Sequence, residues 1–241
     1  MAWFKDWFNS PYYHILYGQH NDAEAALFIN NLSVFLGFKD HQNALDLACG
    51  KGRHSKQLAS HRLQVTGIDL SEESIKSAQL FTSDRLNFEV HDMRKVYKKR
   101  YFEYVFNIFT SFGYFSNAED NISTLAAVKE NLKTNGVFIQ DFFNASWVIN
   151  QIVPYHEINA GGILFKINKS IKDQKIIKTI EFNDQGEHYQ FCEVVDLFTL
   201  ADFEQMYKQA GLKILHTFGD YELGSFNPNE SKRLILISQP L

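Results

Sequence analysis

The 241-residue chain has 45% hydrophobic and 22% charged residues, a composition typical of a globular domain with a substantial core. The net charge is −4, and the only dense basic run in the sequence is Lys98–Arg100, which argues against non-specific nucleic-acid binding. Cys49 and Cys192 fit neither a disulfide framework nor a zinc spacing, and no run of about 18 apolar residues predicts a membrane helix. We therefore expect one domain over residues 1–241, with its 22 phenylalanines mainly in the core. The start MAWFKDWFNS has no apolar signal-peptide region, so the cytoplasm is the expected location.

Predicted helices and strands alternate through the first half of the chain, after an N-terminal helical cap over about residues 1–40. Helices are predicted over Asp22–Leu36, from Ser71 through Ala78, and from Ile122 to a stop at Asn135-Gly136. Five strands are predicted: Ala44–Cys49, Val65–Asp69, Leu86–His91, Tyr104–Phe109 and Val137–Phe143. This alternation is typical of a parallel sheet that helices cover on both faces.

The pattern changes after Pro154, where apolar and polar residues alternate with period two. Three strands are predicted between Ile163 and Leu197, with a turn at NDQGE, so residues 154–198 are interpreted as an inserted antiparallel sheet. This sheet is either a lid over the substrate or a dimer interface, and the chain is expected to be a monomer or a homodimer. A helix from Thr199 to Gly211 follows, and the strands Lys213–Phe218 and Arg233–Ser238 complete the predicted fold.

The stretch ALDLACGKGRH joins the first predicted strand to a glycine turn and a helix. Gly50 and Gly52 let a ligand approach the backbone, and the helix start offers unpaired N–H groups. Asp69 ends the second strand and is able to accept hydrogen bonds from ribose hydroxyls. Asp92 and Met93 follow the third strand, where a carboxylate and an apolar side chain would flank an adenine. Three successive strand ends therefore predict one adenosine site.

Each of these features also has a purely structural explanation. Asp69 would serve equally to cap the helix near Ser71, Asp92 to cap a turn, and the glycines to make a tight turn. Their coincidence at three successive strand ends favours the ligand site. A nicotinamide fingerprint would require glycine at Ser55, which disfavours a nicotinamide-dependent oxidoreductase.

Four segments resemble the motifs of class I S-adenosylmethionine-dependent methyltransferases: LDLACGKGRHSKQLA, VTGIDLSEESIKSAQ, FEVHDMRKV and FEYVFNIFTSFGYF. They are most similar to the bacterial small-molecule branch known as methyltransferase type 11 or 25, and the resemblance is strong from Ala44 to Asn144. It implies an α/β, Rossmann-like, doubly wound and mostly parallel sheet of seven strands, in the order 3-2-1-4-5-7-6, with the antiparallel insertion. It also implies methyl transfer from S-adenosylmethionine to a small molecule. No metal, membrane or nucleic-acid partner is expected.

The resemblance further implies which residues bind the cofactor. Six residues are expected around the methionine moiety: Asp46 near its amino end, Ala48, Gly50 and Gly52 as the wall beneath it, and Arg53 or His54 at its carboxylate. Asp69 is expected on the ribose, Leu70 and Met93 on the adenine, and Asp92 on its amino group. Asn107 and Phe109 are expected near the sulfonium, and Tyr17 over the cofactor. One departure from the family pattern is Ala48, which stands where most members have glycine.

Methyl transfer is an in-line displacement at an activated carbon, so positioning of the acceptor contributes most of the catalysis. A base is needed only when the acceptor must lose a proton, and we expect no obligatory triad. Acceptor-side candidates are Tyr13, Tyr17, His20, Tyr114 and Glu193; Glu193 fits a site residue and a sheet end equally well. The alternative to an enzyme is a non-catalytic protein that binds S-adenosylmethionine or S-adenosylhomocysteine.

Overall fold

The computed structural model describes residues 3–18 and 22–241, and only the backbone of residues 3–5. Its helices are α1 (Trp3–Phe8), α2 (Pro11–Tyr17), α3 (Asp22–Leu36), α4 (Arg53–Ser60), α5 (Glu72–Ala78), α6 (Ala118–Asn131), α7 (Ala145–Asn150) and α8 (Leu200–Ala210). Its strands are β1 (Asn43–Leu47), β2 (Gln64–Asp69), β3 (Leu86–Val90), β4 (Phe102–Asn107), β5 (Leu132–Phe143), β6 (Tyr155–Ala160), β7 (Ile163–Lys172), β8 (Lys175–Asp184), β9 (Glu187–Asp196), β10 (Leu212–Phe218) and β11 (Arg233–Pro240). No helix within the described ranges is long and apolar enough to span a membrane.

Seven strands form the main sheet in the spatial order β3-β2-β1-β4-β5-β11-β10. Strands β1 to β5 pair in parallel, and β11 pairs antiparallel with both β5 and β10. Counted along this sheet alone, the order is 3-2-1-4-5-7-6, so the predicted topology is confirmed. The carboxyl ends of β1, β2, β3 and β4 consequently meet at one edge, where ligands bind in sheets of this kind.

Both faces of the main sheet are buried, as the continuous apolar strands require. In β1, Leu45 and Leu47 pack into a core with Leu125 of α6 and Phe203 of α8. Side chains on the opposite face pack into a second core with helices α3, α4 and α5: Ala44 and Cys49 with Phe28, Leu58 and Ile75. The helices therefore lie in two layers, one on each face of the main sheet, and side chains from β1 and the loop after it pack into both.

The inserted sheet has four antiparallel strands in the order β6-β7-β8-β9, so the prediction of three strands was wrong. Strand β6 was missed because most of its side chains are exposed and show little alternation. Helices α1 and α2 pack on this sheet in a third core, where Trp7 and Leu16 meet Phe165 and Ile180. The predicted N-terminal cap therefore has two parts: α1 and α2 pack on the inserted sheet, whereas α3 packs on the main sheet.

Helix α6 ends at Asn131 and β5 begins at Leu132, so the predicted stop at Asn135-Gly136 was wrong. The buried amide oxygen of Asn131 accepts hydrogen bonds from the backbone N–H groups of Tyr97 and Lys98, at 2.8 and 2.9 Å. These contacts end the helix early and leave the glycine at a register shift within β5.

Three residues predicted to end strands lie in the loops just beyond them: Cys49, His91 and Phe109. Two of these strands stop where the backbone enters the left-handed region, at Ala48 (φ 53°) after β1 and at Phe109 (φ 64°) after β4. That region is incompatible with strand pairing, and it turns the chain at the carboxyl edge of the sheet.

Candidate active site

The loop between β1 and α4 contains three left-handed residues: Ala48 (φ 53°), Gly50 (φ 55°) and Gly52 (φ 79°). A Cβ atom at Gly52 would lie 2.5 Å from Cζ of Phe88, so only glycine fits there. At Gly50 the same atom would meet open space. Ala48 and Gly50 line a cavity at the sheet edge, whereas Gly52 lies beneath the loop and starts α4.

Asp69, at the end of β2, connects the loop after β1 to the loop after β2 by hydrogen bonds. Its Oδ2 accepts a hydrogen bond from the backbone N–H of Gly50 at 2.9 Å, and its Oδ1 accepts one from Ser71 at 2.8 Å. Burial raises the pKa of this carboxyl, although the backbone hydrogen bonds oppose that effect. Helix α5 is capped by the Ser71 hydroxyl, which accepts from the N–H of Ser74 at 3.1 Å. Capping is therefore not the role of Asp69, which lines the cavity.

Asp46 lies behind the loop rather than on the cavity wall. Its side chain is 2% exposed and accepts a hydrogen bond from Oγ of Ser55 at 2.5 Å. Burial raises the pKa of Asp46 to about 7, although the Ser55 hydrogen bond acts against it. The carboxyl therefore supports the loop from below and changes its charge near neutral pH.

After β3, the two predicted residues point in different directions. Met93 lines the cavity, as does Leu70 from the loop after β2. The Asp92 carboxylate instead pairs with Arg94 at 2.7 Å, and Arg94 also binds Asp120 at 2.9 Å. Burial favours the neutral form of Asp92, but the Arg94 hydrogen bonds outweigh it and hold its pKa below the usual value. Asp92 therefore anchors the loop and does not line the cavity.

After β4, Asn107 is buried and donates from Nδ2 to the carbonyl oxygen of Ser111 at 3.0 Å. This contact shapes the loop without placing Asn107 on the cavity wall. Phe109 does line the cavity, and the guanidinium of Arg53 lies 4.9 Å from the centre of its ring. Together they form one side of the site.

A buried ion pair that the sequence analysis missed supports this loop. Arg233 of β11 donates to the fully buried Asp141 of β5 at 2.7 Å. Oδ2 of Asp141 accepts from the N–H of Phe109 at 2.8 Å, and Arg233 also donates to Oγ1 of Thr110 at 3.0 Å. The pair thereby fixes two left-handed residues, Phe109 and Thr110. The sequence signal was an acid inside the apolar run VFIQDFF of the fifth strand.

On the opposite side, the Glu193 carboxylate of β9 gathers three donors. Its Oε1 accepts from Nε1 of Trp7 and from the hydroxyl of Tyr17, each at 2.7 Å. Its Oε2 lies 3.5 Å from Nζ of Lys178, which also contacts the Tyr17 hydroxyl. Burial, and then the Glu193 charge, raise the pKa of the Tyr17 phenol well above its usual value. Burial likewise raises the pKa of Tyr114, so both phenols are protonated donors at neutral pH.

All these groups surround one cavity of about 820 Å³, within the range of about 300–1,000 Å³ common for small-molecule sites. The predicted residues that line it are Tyr13, Tyr17, Ala48, Gly50, Arg53, His54, Asp69, Leu70, Met93, Phe109, Tyr114 and Glu193. Four predicted residues stand behind the wall: Asp46, Gly52, Asp92 and Asn107. His20 lies outside the described residues. Lining residues that the sequence analysis missed include His14, Lys169, Lys178 and Arg233.

His14 had a readable signal, because it adjoins Tyr13 and lies one helical turn from Tyr17 on α2. Burial, and then the charge of Lys51, lower the pKa of His14 to about 4, so it is neutral at pH 7. Among residues 3–18 and 22–241, no group of three or more His, Cys, Asp or Glu side chains is arranged to hold a metal ion.

The donor set of the cavity fits S-adenosylmethionine. The cavity wall offers the Asp69 carboxylate at the end of β2, which is able to accept hydrogen bonds from ribose hydroxyls, the apolar side chains of Leu70 and Met93, and open space at Gly50.

Comparison with known proteins agrees with this fit. Residues 38–193 match the family model described as "Methyltransferase domain". The chain is 25% identical over 187 residues to the dTDP-3-amino-3,4,6-trideoxy-alpha-D-glucopyranose N,N-dimethyltransferase of Streptomyces venezuelae, covering 73% of this chain and 77% of the relative. It is 26% identical over 213 residues to the glycine/sarcosine N-methyltransferase of Aphanothece halophytica, covering 84% of this chain and 76% of the relative.

The fold is also that of a solved S-adenosylmethionine-dependent methyltransferase from Clostridium acetobutylicum. The two superpose with a TM-score of 0.78 at 20% identity, over 95% of this chain and 96% of the other. The family match covers more than half of the sequence and includes the strand ends that build the cavity. The chain therefore belongs to the methyltransferase domain family and is a class I S-adenosylmethionine-dependent methyltransferase of the small-molecule type.

Proposed function

We propose that this methyltransferase acts on an amine of a small-molecule acceptor. The observation that carries the proposal is the Glu193 carboxylate on the cavity wall, held by Trp7 and Tyr17 opposite the strand-end loops. A carboxylate at this place is suited to bind an ammonium group and to receive its proton. The similarity to two N-methyltransferases, one for an amino sugar nucleotide and one for glycine and sarcosine, supports an amine acceptor.

For the cofactor, we infer a division between contact and support. Ala48, Gly50 and Arg53 line the cavity where the methionine moiety is expected, and Asp69 offers its carboxylate to the ribose. Four further predicted cofactor residues act from behind this wall: Asp46, Gly52, Asp92 and Asn107. Bound S-adenosylmethionine supplies a methyl group that its sulfonium has already activated.

The chain's own task is then to hold and deprotonate the acceptor. An ammonium group has no lone pair, so the amine must lose a proton before it attacks. Burial raises the pKa of Tyr13 as it does those of Tyr17 and Tyr114, so all three are protonated phenols, and Glu193 is the basic member of the four described candidates. We infer that Glu193 receives the proton, while Tyr17 and Trp7 keep its carboxylate oriented.

The inserted sheet, with α1 and α2 packed on it, forms in this proposal the lid of the acceptor site. Glu193 comes from that sheet, and Tyr17 comes from α2. A role as a lid is favoured over a dimer interface because one face of the sheet is already covered by the two helices and the cavity. The cytoplasmic location and the monomeric or homodimeric state stay predictions of the sequence.

The reaction is tested by incubating the purified protein with S-adenosylmethionine and matched acceptor pairs, such as glucosamine and glucose, or glycine and glycolate. Formation of S-adenosylhomocysteine with amines alone supports the proposal. Turnover only with the hydroxyl partners would contradict it. Tight binding of S-adenosylhomocysteine without turnover of any acceptor would favour the non-catalytic alternative.

The cofactor assignment is tested at Asp69. Asp69→Ala should weaken S-adenosylhomocysteine binding by about 1–3 kcal/mol, or roughly 5- to 150-fold, because it removes hydrogen bonds from the ribose to a charged acceptor. Isothermal titration measures this, with the exposed Asp84→Ala as the matched control. Unchanged affinity in Asp69→Ala would overturn the ribose assignment.

A further inference from the structure

Three charged side chains form a row across the inserted sheet. Lys169 of β7 is paired in register with Lys178 of β8, and Lys178 is paired with Glu193 of β9. Residues directly opposite each other on antiparallel strands project from the same face. All three residues line the cavity, so the charged row faces the acceptor site.

The neighbouring rows on this face are apolar, which isolates the charges. On one side, Ile180 and Phe191 lie in the core beneath α1, where the ring of Trp7 is 4.5 Å from that of Phe191. On the other side, Ile176 and Val195 are opposite each other and line the cavity. The charged row therefore lies at the boundary between a dry core and the open cavity.

The charges in the row do not balance. Glu193 carries the one negative charge, and it is already bound by Trp7, Tyr17 and Lys178. Lys169 forms no ion pair within 4 Å with any residue in the described ranges. Two ammonium groups against one carboxylate leave a positive charge at the Lys169 end of the row.

Burial makes this positive charge costly. It lowers the pKa of Lys178, although Glu193 opposes the effect, and the nearby Lys169 lowers it further. Burial also lowers the pKa of Lys169, again with Glu193 acting against it. A group with negative charge placed between the two ammonium groups would stabilise both of them.

Building on the proposed amine methyltransferase function, we propose that the acceptor also carries an oxyanion, a carboxylate or a phosphate, which binds between Lys169 and Lys178. The charged row then binds the two ends of a zwitterion: the anionic group lies at Lys169 and the amine at Glu193. Backbone pairing sets the spacing of the three side chains where they leave the sheet, because neighbouring Cβ atoms in such a row are about 4.5–5.5 Å apart. An acceptor with an amine but no anionic group would leave Lys169 without a partner.

The test uses the whole 241-residue chain saturated with S-adenosylhomocysteine, so that the cofactor site cannot take up the probe. Sodium acetate, inorganic phosphate and pyrophosphate are titrated separately against the wild type and Lys169→Met. We expect saturable binding to the wild type and at least about tenfold weaker binding to Lys169→Met, because the variant loses one of the two charges. Preference for acetate identifies a carboxylate acceptor, and preference for phosphate or pyrophosphate identifies a phosphorylated one.

Lys166→Met is the matched control. Lys166 lies on the same strand but points to the opposite, exposed face, where it is in register with Glu181. Lys166→Met removes the same charge from the protein as Lys169→Met does, but away from the cavity. It should therefore bind the probes as the wild type does. Equal binding to Lys169→Met and the wild type, or no saturable binding to the wild type, would overturn the inference.

Binding of S-adenosylhomocysteine separates this inference from the function on which it rests. If the wild type binds S-adenosylhomocysteine and methylates amines but binds no anion, only the oxyanion proposal fails. If it binds S-adenosylhomocysteine and methylates no amine, the proposed function fails whatever the anions do.

Discussion

The two sides of the cavity are built in different ways. On the cofactor side, backbone N–H groups take part in holding the carboxylates: Asp69 accepts from two of them, and Asp141 accepts from that of Phe109 in addition to its pair with Arg233. On the acceptor side, side chains hold one another, as Trp7 and Tyr17 hold Glu193. The first arrangement depends on loops at the edge of one sheet, and the second on two helices docked on another sheet.

The two arrangements respond differently to substitution. A backbone N–H group donates whatever side chain its residue carries, whereas a side-chain donor is lost when that residue is exchanged. The acceptor side depends on the identity of a few side chains, and a single exchange alters which groups it binds. Variants that affect one side alone can therefore test the comparison.

The largest effect is expected from Glu193→Gln. The amide oxygen can still accept from Trp7 and Tyr17, but the side chain can no longer receive a proton. Loss of a general base typically slows a reaction by about 100- to 10,000-fold, and we expect a fall of this size in kcat with an amine acceptor. Binding of S-adenosylhomocysteine should stay unchanged, because the cofactor side is untouched.

This fall in kcat is measured in discontinuous assays with an amine that the wild type methylates. The matched control is Glu187→Gln, an exposed carboxylate at the start of the same strand, which should keep wild-type activity. Full activity of Glu193→Gln would show that the amine loses its proton to another group.

Arg233→Met should destabilise the cofactor side. It leaves the fully buried Asp141 carboxylate without its cation, and removal of one partner from a buried pair costs about 3–5 kcal/mol. The free energy of unfolding should fall by that amount in urea, and S-adenosylhomocysteine should bind more weakly because the Phe109–Thr110 turn loses its support.

Arg62→Met is the control for this variant, since the Arg62 side chain is 76% exposed and its distance to Asp40 is 3.9 Å. Surface pairs of this kind contribute about 0–1 kcal/mol. The Tyr221 hydroxyl also donates to Oδ2 of Asp141, at 3.0 Å. A similar small loss in Arg233→Met would mean that this hydroxyl and the N–H of Phe109 are sufficient donors for Asp141.

The sequence located the residues on the strand-end side of the cavity better than those on the inserted sheet, for a physical reason. Gly50, Asp69 and Met93 lie within a few residues of strand ends, and the order of a doubly wound sheet brings such ends together. Lys169 and Lys178 meet Glu193 only through the register of two hairpins, which alternation alone does not specify.

Some residues predicted for the cofactor site lie behind the cavity wall, which the sequence did not indicate. Asp46, Asp92 and Asn107 stand at the expected positions in the chain, but their side chains bind Ser55, Arg94 and the Ser111 backbone. The sequence spacing located their backbone and could not give the direction of each side chain, which depends on partners elsewhere in the chain.

The smallest expected effect concerns the pH dependence of stability at Asp46. Burial raises the pKa of this carboxyl from 3.8 to about 7 in the folded protein. The unfolded chain releases the proton near pH 4, so between about pH 4 and 7 the folded state holds more protons and its stability falls as the pH rises. Asp46→Asn stays neutral at every pH, so its free energy of unfolding should fall less steeply across this window.

Urea unfolding of both proteins at several pH values measures the two slopes. Asp40→Asn provides a contrast of opposite sign, because the hydrogen bond from Arg85 lowers the pKa of Asp40 in the folded protein. The stabilisation from Asp40 is lost as the pH falls through its folded pKa, so Asp40→Asn should alter the slope only at acidic pH. If Asp46→Asn and the wild type have parallel profiles between about pH 4 and 7, Asp46 is ionised throughout this range. Its charge would then be held by groups other than Ser55, and the loop beneath the cofactor would not respond to pH.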